Sequence, residues 1–190
     1  MPGTAEYEDT QVIANEITRL ERIVREVLVF ARPSEPHLVT IAADNPLHEV
    51  QTLLSPQLAG VGIRLIHENS SSAQVRIDPQ QIKQVLINLI QNAADSIGQG
   101  GSITLRARTD SRRLADRATE AVILEVADTG KGIPPHVEKR LFDPFFTTKE
   151  TGTGLGLAIA ARIVEKHGGA LQYQTQVNHG TTFGIVLPRA

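Results

Sequence analysis

No cysteine occurs among the 190 residues, so the chain has no disulfide framework, no thiolate metal site and no cysteine nucleophile. That absence fits a reducing compartment. Tryptophan is missing too, and aromatic residues make up only 4% of the chain, which poorly supplies the stacking platforms of single-strand nucleic-acid binding. Charge of one sign is not in excess: the formal net charge of −2 argues against a general polyanion binder. No apolar run approaches the roughly 20 residues of a membrane-spanning helix, and no signal-peptide pattern opens the chain. The expectation is a soluble, cytoplasmic chain with no nucleic-acid partner and no membrane contact of its own, although a longer parent protein could be membrane-anchored.

What is present suffices for a core. Hydrophobic residues make up 41% of the chain, too many for disorder, and the length suits one domain plus an appended element. From about Val12 to Ala31, the residues Ile13, Ile17, Leu20, Val24, Val27 and Ala31 recur at intervals of 4, 3, 4, 3 and 4. This narrow seam belongs to a bundle or coiled-coil helix, or to an amphipathic helix lying on its own domain. The pattern stops at Arg32–Pro33, and Pro36 follows closely. The predicted organisation is a helical segment over 1–33, a linker over 34–36 and a folded domain over 37–190.

Beyond the linker, Leu38–Ile41 reads as a short strand. Asp44 reads as the cap of a helix reaching about Leu58. Strands are expected over Ile63–Glu68 and Ala73–Ile77, joined by the polar loop Asn69–Ser72. A long helix runs from Asp78–Pro79 to Ile97, with Asp78 as N-cap and Gly98 past its end. Ser102–Arg108 and Ala121–Asp128 read as strands, and Thr109–Glu120 between them as a wide hairpin loop. A brief helix over Pro135–Leu141 and another over Gly154–His167 flank a glycine-rich stretch. Leu171–Gln176 and Thr181–Leu187 close the chain as a hairpin. This order predicts an α+β fold, a two-layer sandwich of a mixed β-sheet and helices, preceded by one long bundle helix.

Several residues in this frame can carry chemistry. Asn88 and Asn92 are four apart and share a helix face. Two amides so placed can serve a hydrated Mg²⁺ and the phosphates it bridges, or can be an ordinary solvated pair. Asp128 ends an apolar strand and is followed by Gly130 and Gly132. Its carboxylate can accept a hydrogen bond from the exocyclic amine of adenine, where guanine would present a repelling oxygen. The bland alternative is a plain Asp-x-Gly turn. Gly152–Thr153–Gly154–Leu155–Gly156 opens a helix, where free amides and the positive helix end suit a phosphate. The spacing is neither that of a Walker loop nor that of a dinucleotide fingerprint. Lys149, just ahead of these glycines, can serve as a mobile cation for a terminal phosphate, or can be solvated. Phe142, Phe145 and Phe146 read as the latch of a mobile lid or as core residues.

In this order and spacing the blocks resemble the ATP-binding catalytic domain of bacterial two-component sensor histidine kinases, in the superfamily shared with DNA gyrase, Hsp90 and MutL. Gln84–Ala93 resembles the N box and Asp128–Gly132 the G1 box. Phe142–Lys149 resembles the F box, Gly152–Leu157 the G2 box, and Gly180–Thr181 the last nucleotide-contacting block. The run Phe145–Phe146–Thr147–Thr148–Lys149 is most similar to nitrogen-regulation and metal-responsive sensor kinases. The resemblance implies ATP and Mg²⁺ as cofactors under a mobile lid, with Asn92 as the metal ligand and Asn88 as its phosphate-side neighbour. It implies Asp128 as adenine reader with Thr181 assisting, and Asn92 and Lys149 as the catalytic residues. It further implies that residues 1–33 are the second helix of a dimerisation hairpin, with a homodimer through 12–31. The implied partners are the histidine-bearing hairpin of the parent kinase and the receiver domain of a response regulator.

Three departures refine this. Gyrase-type ATPases carry a Glu one helical turn before the metal-binding Asn. Here Asn88 stands in that place and cannot act as a general base, so transfer to a protein acceptor is favoured over hydrolysis. Asp95 occupies a position where many kinases place a basic residue near the phosphates. The phosphoacceptor histidine motif of the first hairpin helix is absent, so self-phosphorylation by the chain alone is not expected. Asn45–Pro46–Leu47–His48–Glu49 has that motif's letters in the wrong order and reads as coincidence. The remaining alternatives are a nucleotide-binding or docking module without transfer, and an ATPase or serine kinase of related fold.

Overall fold

A computed structural model describes residues 5–32, 34–68, 71–114, 117–149 and 152–190. In chain order its elements are α1 (Ala5–Ala31), β1 (Val39–Ala42), α2 (Asn45–Gly60), β2 (Ile63–Glu68), β3 (Gln74–Ile77), α3 (Pro79–Ile97), β4 (Gly101–Leu114), β5 (Arg117–Asp128), α4 (Pro135–Glu138), α5 (Gly156–Lys166), β6 (Ala170–Gln176) and β7 (Gly180–Pro188). The prolines and asparagine expected at the first linker and in the polar loop are Pro33, Pro36 and Asn69; Pro33 and Asn69 lie outside the described residues.

Continuous apolar runs suit strands covered on both faces, and Ala121–Leu124, all buried, lies on the middle strand of the main sheet. That sheet has the order β2-β4-β5-β7-β6. β2 runs parallel to β4 and every other neighbour pair is antiparallel, so the sheet is mixed as predicted. Side chains alternate between faces along a strand. Val122, Leu124 and Val126 of β5 therefore point into one large core with Leu47, Val50 and Leu54 of α2, Leu86 and Leu89 of α3, and Ile163 and Val164 of α5. Ala121 and Ile123 pair with Val186 on the opposite face. The helices cover one side of the sheet, and β1 and β3 form a separate antiparallel pair beside them.

Two local expectations are corrected. Thr109–Glu120 is no wide loop: β4 and β5 continue in register to Leu114 opposite Arg117. A two-stranded extension can satisfy its backbone by mutual pairing, and it leaves no apolar alternation to read. Asp44 stands at the N-cap of α2 but makes no side-chain cap. Its carboxylate instead lies 2.8 Å from His67 Nε2 on β2.

α1 keeps its seam exposed, with Ile17 and Leu20 at 53% and Val24 at 56%, so its own domain does not cover that stripe. Among the described residues, its last turns meet the domain. Arg162 of α5 donates to the Phe30 carbonyl at 2.7 Å, and the Phe30 ring lies edge-on to Phe145, centroids 6.4 Å apart.

Asp78 caps α3 as expected. Oδ1 accepts from the amides of Gln80 (3.0 Å) and Gln81 (3.1 Å), and Oδ2 accepts from the amide of His37 at 2.9 Å. The Asp78 amide donates to Nε2 of the buried His167 at 3.0 Å, and His167 Nδ1 donates to the Ile163 carbonyl at 2.7 Å. Burial opposes ionisation of Asp78, but the hydrogen bonds from the amides of His37, Gln81 and Gln80 outweigh it, so its pKa is lowered. A lowered carboxylate pKa contributes stability above the unfolded value of about 3.9, lost as pH falls through the folded value. Asp78→Ala is expected to lower unfolding stability by about 2 kcal/mol near pH 7, a cap plus one charge-assisted bond. Denaturant melts should show that deficit shrinking below about pH 4.

Candidate functional site

The core fixes which way α3 turns. Ile82, Val85, Leu86, Leu89, Ile90 and Ala93 are buried against the sheet and its neighbours. This leaves Asn88, Asn92, Asp95 and Ser96 along a shared strip at spacings of three, four and eight, as helical periodicity requires. From Asn88 to Ser96 that strip measures about 12 Å at 1.5 Å per residue.

At one end, Asn88 meets the start of α5. A Cβ on Gly156 would collide with Asn88 Oδ1, so the amide sits directly against the helix N-terminus. Its Nδ2 is buried and has no hydrogen-bond partner. A buried donor left unpaired costs free energy, and an acceptor oxygen at the positive helix end would relieve it.

One turn along, Lys149 Nζ lies 2.6 Å from Asn92 Oδ1 and 2.6 Å from Asp95 Oδ2. The expected catalytic pair, Asn92 and Lys149, is thus in contact. Both partners of the ammonium are oxygens, the donor type that a hard cation such as Mg²⁺ takes.

At the other end, Asp128 finishes β5 with its side chain buried. Its Oδ1 accepts from the Gly130 amide at 2.7 Å. Burial raises its pKa above the ordinary carboxylate value, partly offset by the amides of Gly130 and Thr181. The Lys131 amide donates to the Ser96 carbonyl at 3.3 Å, which ties the Asp128 loop to the strip on α3. Gly132 has φ 68°, and a Cβ there would strike the Gln176 carbonyl. The tip of the β6–β7 hairpin, rather than open space for a ligand, presses on this glycine. Thr181 Oγ1 lies 2.9 Å from Thr175 Oγ1, which also accepts from the Ile133 amide at 2.9 Å.

The second glycine block packs against the Phe145–Phe146 segment. Gly154 has φ 69°, and a Cβ on it would lie 2.7 Å from both the amide nitrogen and the carbonyl oxygen of Phe146. Phe145 N donates back to the Gly154 carbonyl at 3.0 Å. Thr153 Oγ1 donates to Glu26 Oε2 of α1. Leu155 is fully buried, so only its backbone faces the block, and its amide donates to Thr153 Oγ1 at 3.3 Å. A Cβ on Gly152 would lie 2.5 Å from Thr147 Oγ1. Of the three phenylalanines, Phe142 alone meets the core expectation among the described contacts. Phe142 packs on the core beside Tyr173, and Phe146 lies under the Arg140 guanidinium at 4.3 Å. Phe145 is 64% exposed at φ 67°, a conformation that costs a bulky residue energy.

All the expected site residues thus fall into three adjoining groups around α3. Thr175, Ser96 and Glu26 were not anticipated. Their contacts arise from chain segments 42, 35 and 127 residues away, and no local pattern marks them.

The residues present fit a nucleotide and a divalent cation, on the orphaned Asn88 donor and on the oxygen pair at Asn92 and Asp95. Among the described residues, no helix is long and apolar enough to cross a membrane.

Comparison with known proteins agrees with this geometry. Residues 77–190 match the family described as histidine kinase-, DNA gyrase B-, and HSP90-like ATPase. The sensor histidine kinase ZraS of Salmonella typhimurium is 36% identical over 187 residues, 98% of this chain and 39% of that protein. The sensory histidine kinase/phosphatase NtrB of the same species is 36% identical over 193 residues, 99% of this chain and 54% of that protein. The chain therefore spans about two fifths to one half of the length of these relatives. Full-length ShkA, solved in complex with AMPPNP, superposes with a TM-score of 0.81 at 30% identity, over 98% of this chain and 40% of that one. With the N-box strip, the buried Asp128 and the two glycine blocks in place, the chain belongs to the histidine kinase-, DNA gyrase B- and HSP90-like ATPase family, as the ATP-binding domain of a sensor histidine kinase.

Proposed function

We propose that this chain binds Mg²⁺–ATP and passes the γ-phosphoryl group to a histidine on a dimerisation hairpin, for onward transfer to the receiver domain of a response regulator. The observation that carries the reading is the buried, unpartnered Asn88 Nδ2 at the N-terminus of α5, on the same helix as Asn92 and as Ser96, to which the Asp128 loop is tied. In this reading residues 1–33 are one helix of the hairpin, 34–36 the linker and 37–190 the ATP-binding domain. The exposed seam of α1 supports its use as a bundle and homodimer face.

Each group has a role its chemistry permits. Asp128 accepts from the adenine amine, and the amides of Gly130 and Thr181 hold its carboxylate in place. Thr181 assists at the same end, with Gly130 and Gly132 shaping the loop. Asn88 donates to a phosphate oxygen beside the α5 amides, and Gly152, Thr153, Gly154, Leu155 and Gly156 supply the backbone around it. Asn92 holds the cation, and Lys149 brings positive charge to the terminal phosphate. Bound Mg²⁺ would supply charge neutralisation across the phosphates. Positioning and charge neutralisation are most of what phosphoryl transfer requires. Asn88 cannot serve as a base for water, which favours transfer over hydrolysis.

Calorimetric titration with ATP and GTP, each with and without Mg²⁺, tests the site. Tight binding of ATP only, aided by Mg²⁺, is the expected result, and labelled phosphate should then appear on a supplied histidine hairpin. ATP binding without any such transfer would leave a nucleotide-binding module instead.

Two variants follow from the geometry. Asp128→Asn should weaken ATP binding by about tenfold or more, the loss of one charge-assisted bond. A raised carboxylate pKa contributes stability in full below the unfolded value, and that contribution is lost as pH rises through the folded value. At neutral pH the ionised Asp128 is thus held at a cost, so the melting temperature of Asp128→Asn should not fall. In the wild type, ATP affinity should drop as acidification protonates Asp128. Gly154→Ala places a Cβ against the Phe146 backbone at positive φ. It should cut ATP affinity by at least about fivefold, roughly 1 kcal/mol of strain, measured in the same titration.

A further inference from the structure

Asp95 is an acid where the family resemblance leads one to expect a base, and its surroundings give it a use. Lys149 Nζ bridges Asp95 Oδ2 and Asn92 Oδ1, 2.6 Å from each. Three residues apart on α3, these two oxygens share one face. A carboxylate and an amide carbonyl are both hard donors, suited to a cation that keeps several of its waters. A lysine ammonium is a point charge on a flexible stem, without the fixed fork of arginine, so it can occupy such a pair and also leave it. An uncovered carboxylate here would repel an approaching triphosphate. Covered by a divalent cation, it would hold the metal and the phosphates together.

We infer that Asp95 and Asn92 form a two-oxygen cation subsite, held by the Lys149 ammonium while nucleotide is absent and taken by Mg²⁺ when ATP binds. Asp95 thereby makes ATP binding depend on magnesium. This rests on the reading of the site as one for Mg²⁺–ATP. Lys149 gives up the pair in the exchange, and its charge becomes available to the terminal phosphate from the lid side. The alternative is a surface ion pair that merely steadies the lid. Both side chains are well exposed, at 40% and 57%, and such pairs add little to folding. Asp95→Asn is therefore a variant that folds.

The two readings separate in one experiment. The full chain and its Asp95→Asn variant are titrated with ATP, in excess EDTA and again in saturating Mg²⁺. In the wild type, magnesium should tighten ATP binding by about tenfold or more. In Asp95→Asn the gain should shrink to about threefold or less, with magnesium-free affinity equal to or above that of the wild type. Lys149→Met supplies the complementary test. It should weaken magnesium-free ATP binding while leaving the magnesium gain at least as large as in the wild type, because the oxygen pair remains and its internal cation is gone. A magnesium gain unaltered in Asp95→Asn, or an equal loss with and without the metal, overturns the subsite and leaves the nucleotide site standing. A wild-type chain that binds no ATP in either condition overturns both.

Discussion

Asp78 holds three parts of the chain with one residue. Its carboxylate takes the first free amides of α3 and the amide of His37 just past the linker, and its own amide reaches His167 at the end of α5. Because an uncapped helix start leaves several amides unsatisfied, this node decides where α3 begins and how its faces are phased. The apolar positions of α3 then lock that phase against the sheet. Once the helix is seated, Asn88, Asn92, Asp95 and Ser96 have no freedom to face elsewhere. Asn88 at the start of α5, the Asn92–Asp95 oxygen pair and the tie to the Asp128 loop at Ser96 are successive stations along one helix.

The glycine blocks depend on the same close fit. At Gly132 and Gly154 positive φ coincides with the absence of room for a Cβ, and in both cases the obstruction is the chain's own backbone. The site is held by main chain pressed on main chain, which leaves little tolerance for side chains there. Phe145, turned outward beside Phe30 of α1, is where this packing is exposed to the preceding helix. Glu26 to Thr153 and Arg162 to the Phe30 carbonyl make the last turns of α1 part of the wall around the second glycine block.

Much of this was legible in the residues themselves. The cap at Asp78, the span of α3, strand β2 and the closing hairpin follow from local signals such as Asp-Pro before an apolar period or Asn178–His179–Gly180 between strands. Block order is also what brought the proposed site residues to notice, and the fold places them around α3. What escaped reading is non-local. Asp44 has the identity of a helix cap, but His67 lies within reach and takes its carboxylate. The paired extension of β4 and β5 has a polar sequence without apolar alternation, so nothing in it separates a strand from a loop. Asp95 could be seen as out of place beside phosphates, yet its partner Lys149 lies 54 residues on.

His167 has one more consequence. A backbone carbonyl can only accept and a backbone amide can only donate, so the contacts to Ile163 and Asp78 fix the ring as the neutral tautomer with its proton on Nδ1. Neither nitrogen has a lone pair to spare. In a protein proposed to make phosphohistidine on another segment, this imidazole at the C-terminal end of α5 is chemically silent. It cannot compete as a nucleophile for the phosphoryl group.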